Sequence, residues 1–138
     1  MTAFLDTNVL IYAFADDPRR PAAQALIDGT AIIGVQCLNE FAAVSLRKQR
    51  LSWDEIDGRL ALIRAGVRTI VPLTIDDHDL GRSIAQRYRL ALYDSMIVAA
   101  ALHAGCDRLY SEDMQHGLVI DDRLHIVNPF LGTENVPV

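Results

Sequence analysis

Four carboxylates, Asp6, Glu40, Asp94 and Asp113, lie in apolar or small-residue surroundings with no Lys or Arg within four positions along the chain. An ionised acid in such a setting is costly to bury unless it is paired or coordinates a metal. A fold built from this sequence must therefore leave these acids at its surface or gather them around a shared cation. Other acids look different. Glu55 has Arg59 four residues on and Asp79 has Arg82 three on, the spacing of exposed helical ion pairs.

Position along the chain is the first test. Residues 2–5 read as a short buried strand with Asp6 at its carboxyl end, just before a helical run over residues 9–14. Residues 108–111 read as another strand, with Asp113 just beyond it. Ligand crevices of open parallel sheets lie outside the carboxyl ends of the strands, so both acids fall on the functional edge. Between them strands and helices alternate. Pro21 starts a helix through Ile27, ended near Gly29, and residues 31–35 form a strand. A helix over residues 37–49 carries Glu40. The capping box Ser52-Trp53-Asp54-Glu55 opens a helix toward Gly66, and residues 69–73 form a third strand. Thr74 caps a helix with Asp76, Asp77 and Asp79 in its first turn, where the dipole favours negative charge. From Leu92 another helix follows, with residues 95–104 as its body and Gly105 as its stop; residues 125–127 form a fifth strand, stopped by Pro129. Such alternation predicts an α/β fold, an α/β/α sandwich around a mostly parallel central sheet.

With 138 residues and 51% hydrophobic content, the expectation is a single domain over residues 1–138. The longest apolar run, residues 96–102, is far short of the ~20 residues that span a bilayer, and no signal-like segment opens the chain. A cytoplasmic protein without membrane partners is expected. Cys37 and Cys106 lack metal-ligand spacing and read as free thiols. A net charge of −5 argues at first sight against nucleic acid, yet acids that bind metal are neutralised where a substrate approaches. Lys48 is the only lysine beside twelve arginines, and Arg19-Arg20 and Arg47-Lys48-Gln49-Arg50 form basic clusters. Arginine suits bidentate phosphate contacts, although a solvated helix surface is the favoured reading of either cluster taken alone.

Local structural roles remain open to each acid. Asp6 can cap the first helix, with Leu5 and Leu10 as a hydrophobic staple; Asp94 can cap the helix beginning at Ser95, with Tyr93 and Val98 in the same relation. A cap uses one carboxylate oxygen and leaves the other for a metal. Asp113 can stabilise the turn over residues 112–115. Glu40 has Gln36, Cys37, Ala43 and Val44 as same-face neighbours, so it has no intrahelical ion pair, though a surface position is permitted.

Phe4-Leu5-Asp6-Thr7-Asn8-Val9-Leu10, Asn39-Glu40-Phe41, Tyr93-Asp94-Ser95 and Leu109-Tyr110-Ser111-Glu112-Asp113-Met114-Gln115 together resemble the PIN domain, most closely the VapC-type toxins of bacterial toxin-antitoxin pairs. The resemblance spans nearly the whole chain in order and spacing. It implies a metal-dependent endoribonuclease acting on RNA, homodimeric, held inactive by a small cognate antitoxin. Carried over, the catalytic and metal-site acids are Asp6, Glu40, Asp94 and Asp113, with Asn8 and Ser111 as polar supports.

Residue types agree with such chemistry. Mg²⁺ or Mn²⁺ takes oxygen ligands, and Mg²⁺ keeps several waters, so a few carboxylates suffice. Zinc is disfavoured because His78, His103, His116 and His125 lack paired ligand spacing; only His116 lies close to one of the acids. An aspartyl phosphatase wants a second acid where Asn8 stands, a phospho-accepting receiver wants a nearby lysine, and a P-loop wants a glycine-rich turn in place of Thr7-Asn8-Val9. The alternative of a different class is a catalytically inactive PIN-fold module that binds RNA or protein.

Overall fold

Phe4 and Leu5 are fully buried and form the centre of β1 (Ala3–Leu5), the third strand of a six-stranded sheet in the computed structural model, which describes residues 2–132. The remaining strands are β2 (Ile32–Gly34), β3 (Thr69–Val71), β4 (Arg108–Tyr110), β5 (Val119–Ile120) and β6 (Leu124–Val127), arranged β3-β2-β1-β4-β6-β5. Only the β5–β6 pair is antiparallel. Six helices connect and cover the strands: α1 (Thr7–Tyr12), α2 (Arg20–Leu26), α3 (Val35–Arg47), α4 (Trp53–Gly66), α5 (Ile75–Tyr88) and α6 (Leu92–His103). α1 packs on α2 and α3, and α3 on α4; α5 packs on α6, so two helical groups flank the sheet as expected.

The apolar run that is too short for a bilayer becomes α6, which is buried at every position from Ser95 to Leu102 and packs on β2 and β4. A helix apolar all round belongs in an interior. Its close approach to α5 depends on Gly81, where a Cβ would stand 2.7 Å from Met96 Sδ and 3.3 Å from the Ser95 carbonyl oxygen. That contact sets where the first turn of α6 sits. Among the described residues no helix is long and apolar enough to cross a membrane. Cys37 and Cys106 are free and buried.

Three elements differ from the sequence reading. α3 starts at Val35, directly after β2, with Gly34 at the cap position and no intervening loop. α6 starts at Leu92 with Ala91 in the cap position, so Asp94 is inside the first turn and does not cap a helix beginning at Ser95. β5 is an extra edge strand, joined to β6 by a turn closed by Arg123 N–H donating to the Ile120 carbonyl at 3.0 Å. Asp121 and Asp122 both take positive φ there, 50° and 55°, as a type I′ turn requires. Both helical capping boxes, Ser52 with Glu55 and Thr74 with Asp77, are formed.

Candidate functional site

Parallel pairing of β1 with β4 sets Leu5 beside Tyr110, and Asp6 N–H continues the ladder by donating to the Tyr110 carbonyl at 3.0 Å. The residues that follow each strand therefore meet at the carboxyl edge. Asp6 is 4% exposed and caps α1, accepting from Thr7 N–H and from Ser111 Oγ, each at 2.7 Å, and from Asn8 Nδ2 at 3.3 Å. Burial pushes its carboxyl up to about 6 against the lowering effect of Ser111 and Thr7, and the charges of Asp94 and Asp113 push the same way.

Ser111 organises the next segment. Its Oγ accepts from the N–H groups of Asp113 (3.2 Å) and Met114 (3.3 Å) while donating to Asp6. Asn8 spans the same gap. Its Nδ2 reaches Asp113 at 3.2 Å as well as Asp6, and its Oδ1 accepts from Glu112 N–H at 3.2 Å. Glu40, on the first half of α3, accepts from Thr7 Oγ1 at 2.6 Å and from Gln36 Nε2 at 3.4 Å. Asp94 projects from the first turn of α6 and makes no side-chain hydrogen bond among the described residues. Its carboxyl is raised by burial, then by the charges of Asp113 and Glu40.

The acids expected from sequence are thus brought into mutual electrostatic range from four separate segments. Among the described residues no Lys, Arg or His forms an ion pair with any of them. Donors that are all oxygen, charged and partly desolvated suit a hard divalent cation. No three His, Cys, Asp or Glu side chains of the described residues already form a ready-made metal cage. It is the chemistry of the donors that fits a hard divalent cation. His116 lies outside this arrangement: its Nδ1 accepts from Asn128 N–H at 3.0 Å.

Beside the acids runs an open groove of about 570 Å³, lined by Thr7, Asn8, Glu40 and Asp113 together with Tyr12, Glu112, Arg47 and Lys48. Sequence reasoning missed three partners here. Thr7 ties Glu40 to the Asp6 turn, and its only sequence signal is a hydroxyl adjoining an unpaired acid. Glu112 accepts from Tyr12 OH at 2.8 Å, and Arg19 Nε lies 2.8 Å away in an ion contact that is off the hydrogen-bond axis. Arg19 also stacks on the Tyr12 ring and forks onto Asp17. No local pattern links residues 19 and 112.

The PIN domain family model matches residues 3–119. A comparison with curated proteins finds no match. Among solved structures, a toxin-antitoxin complex from Klebsiella pneumoniae is similar at TM-score 0.69 and 24% identity, over 92% of this chain and 97% of that one. VapC20 of Mycobacterium tuberculosis, described as a sarcin-ricin loop cleaving toxin, is similar at TM-score 0.67 and 17% identity, over 88% of this chain and 98% of that one. VapBC2 of Rickettsia felis, bound to a promoter DNA fragment, is similar at TM-score 0.63 and 17% identity, over 93% and 100%. At these identities the likeness is one of fold.

Proposed function

The chain belongs to the PIN domain family, and from that premise we propose that it is a divalent-metal-dependent endoribonuclease, the toxin of a toxin-antitoxin pair, acting through Asp6, Glu40, Asp94 and Asp113. One observation carries this reading. Asp6 and Asp94 are both raised by burial and by neighbouring acids, and none of the four acids has a cationic partner among the described residues. Perturbed acids facing one another beside a groove mark a site that an external cation completes.

Asp6 and Asp94 are the central ligands in this proposal, and Glu40 and Asp113 complete the pocket. When bound, Mg²⁺ or Mn²⁺ supplies Lewis acidity toward a phosphoryl oxygen and makes an attacking water more acidic. The chain does the positioning. Ser111 and Thr7 N–H fix the Asp6 carboxylate, Asn8 ties Asp6 to Asp113, and Thr7 holds Glu40. Glu40 and Asp113 line the groove, where each can orient a water and accept its proton.

RNA is the proposed substrate, a second copy of the chain and a small antitoxin the proposed protein partners, and the cytoplasm the proposed location. An antitoxin arginine entering the acidic pocket would neutralise it with bidentate geometry, in competition with metal. Antitoxin affinity that is unchanged after Asp6 and Asp94 are both made neutral would place inhibition elsewhere. The decisive experiment sequences the RNA ends left by purified protein and its Asp94→Asn variant in Mg²⁺, Mn²⁺ or EDTA. Metal-dependent ends from the parent alone support the nuclease. No new ends from either would favour a PIN-fold module that binds RNA or protein without cutting.

A further inference from the structure

Arg47 and Lys48 differ from the other basic cluster in where the fold puts them. Both are exposed at the carboxyl-terminal end of α3 and line the groove that also holds Glu40, Asn8 and Asp113. Arg47 is seven residues beyond Glu40, close to two full helical turns, so the two project from nearly the same face about 10 Å apart. Among the described residues neither cation is spent inside the protein: Arg47 makes one side-chain hydrogen bond, Nε to the Ala43 carbonyl at 3.5 Å, and Lys48 has no ion pair. Arg19, by contrast, is committed to Asp17, Glu112 and the Tyr12 ring. Arg20 is exposed but does not line the groove.

We propose that Arg47 and Lys48 form a phosphate-binding rim for a single-stranded polynucleotide, gripping the backbone a short distance along the groove from the acidic centre. The inference rests on the nuclease reading for its substrate class alone. A phosphate chain entering a groove floored by Glu40 and Asp113 meets like charge, and cations at one end of that groove offset the repulsion and set the direction in which the chain lies. Arginine contributes a bidentate fork and lysine a mobile point charge, a pair suited to backbone without base readout. The helix dipole also favours cations at this end of α3. That local effect does not require them to face the groove, and the experiment separates the two.

A fluorescein-labelled single-stranded oligoribonucleotide of mixed sequence is titrated with parent protein, with Arg47→Gln/Lys48→Gln, and with Arg64→Gln/Arg68→Gln as a control of equal charge outside the groove. Ca²⁺ fills the oxygen-ligand site in each case, and intact RNA is verified by gel after each titration. Loss of two contacts should weaken binding and flatten the slope of log affinity against log salt by about 1.4, at ~0.7 per phosphate for single strands. The charge-retaining Arg47→Lys/Lys48→Arg variant should restore the slope, and the control should keep it. A parental slope in the groove variant, or an equal loss in the control, would overturn the rim and return these cations to the solvated surface. Cleavage in Mg²⁺ is scored separately, so failure of the nuclease reading leaves the slope comparison intact.

Discussion

Asp6 and Asp121 are the same residue type held in opposite states. Asp121, on the β5–β6 turn, is gripped by both terminal nitrogens of Arg87 and by Tyr88 OH, and the Arg87 hydrogen bonds hold its carboxyl below the ordinary value. Asp77 on α5 is buried but meets His103 Nδ1 at 2.5 Å, and Asp79 pairs with Arg82 at 2.9 Å. On the α5 side, then, these acids meet basic side chains within the chain. At the carboxyl edge of β1 and β4 the acids meet only neutral donors among the described residues, and Asp6 is raised to about 6 by burial and by its neighbours' charges. Where a chain supplies the counter-charge, an acid contributes to the fold; where it withholds one, the acid costs stability until something from outside arrives.

The sharpest way to break this contrast is Asp94→Asn, which is expected to lower metal-dependent RNA cleavage by about 10²-fold or more, since even outer-shell partners of a metal site cost ~10–100-fold. Because Asp94 sits in the first turn of α6, the variant gives up ~0.3–1 kcal/mol of charge–dipole attraction and gains relief from Asp113 and Glu40. Thermal unfolding in EDTA should therefore move little. Cleavage at the parental rate, with contaminating nuclease excluded, would remove Asp94 from the mechanism.

Next in size is a pH effect. A carboxyl at about 6 in the folded chain, against 3.8 without the fold, means that the folded state binds the proton more tightly. Metal-free stability should fall as pH rises from about 4 to 6, and the penalty at neutral pH is roughly 3 kcal/mol from this group. Asp6→Asn should therefore gain on the parent as pH rises through that window, read by denaturant unfolding in EDTA. A parent–variant difference that stays constant with pH would show that Asp6 is not held in this state.

Adding Mg²⁺ or Mn²⁺ should reverse the penalty. At 100 times its dissociation constant, an ion that binds only the folded state stabilises it by roughly 2.7 kcal/mol, and Asp94→Asn should forfeit most of that gain. The smallest effect belongs to the other region. Arg87→Ala removes a half-exposed pair and should lower the thermal midpoint only slightly, with the metal response untouched. Because the Asp121 carboxyl is held low, its share of that stability is present at neutral pH and fades as pH drops through its folded value. A metal response that vanished in Arg87→Ala would mean that the two regions are coupled.

Much of the frame was legible in residue order. Apolar runs bounded by Gly, Pro and capping residues marked β1 to β4, β6 and all six helices, because hydrophobic period and cap chemistry act over a few residues. The Ser52 and Thr74 caps follow from that local chemistry alone. β5 was not legible: two residues make no pattern, and their pairing with β6 depends on Asp121 and Asp122 accepting positive φ without a glycine. Nor was the cap of α6: the helix does begin at Leu92 as its sequence indicates, but Asp94 lies inside the first turn with the exposed Leu92 and Tyr93, and no side chain caps it. Tertiary packing against α5 overrode the local signal at Asp94.

The sequence by itself determined which acids lack a cation nearby, since that is a property of spacing along the chain. Only the tertiary structure decided which cations are available to the groove, because Arg19 reaches Glu112 through a contact that no local pattern encodes, and the α3 face carrying Glu40 and Arg47 lines one groove with Asn8 and Asp113. It also decided that the four acids share one field, because parallel pairing and helix packing bring residues 6, 40, 94 and 113 to one sheet edge. Coulomb energy depends on distance in space, and the chain's own order does not contain that distance.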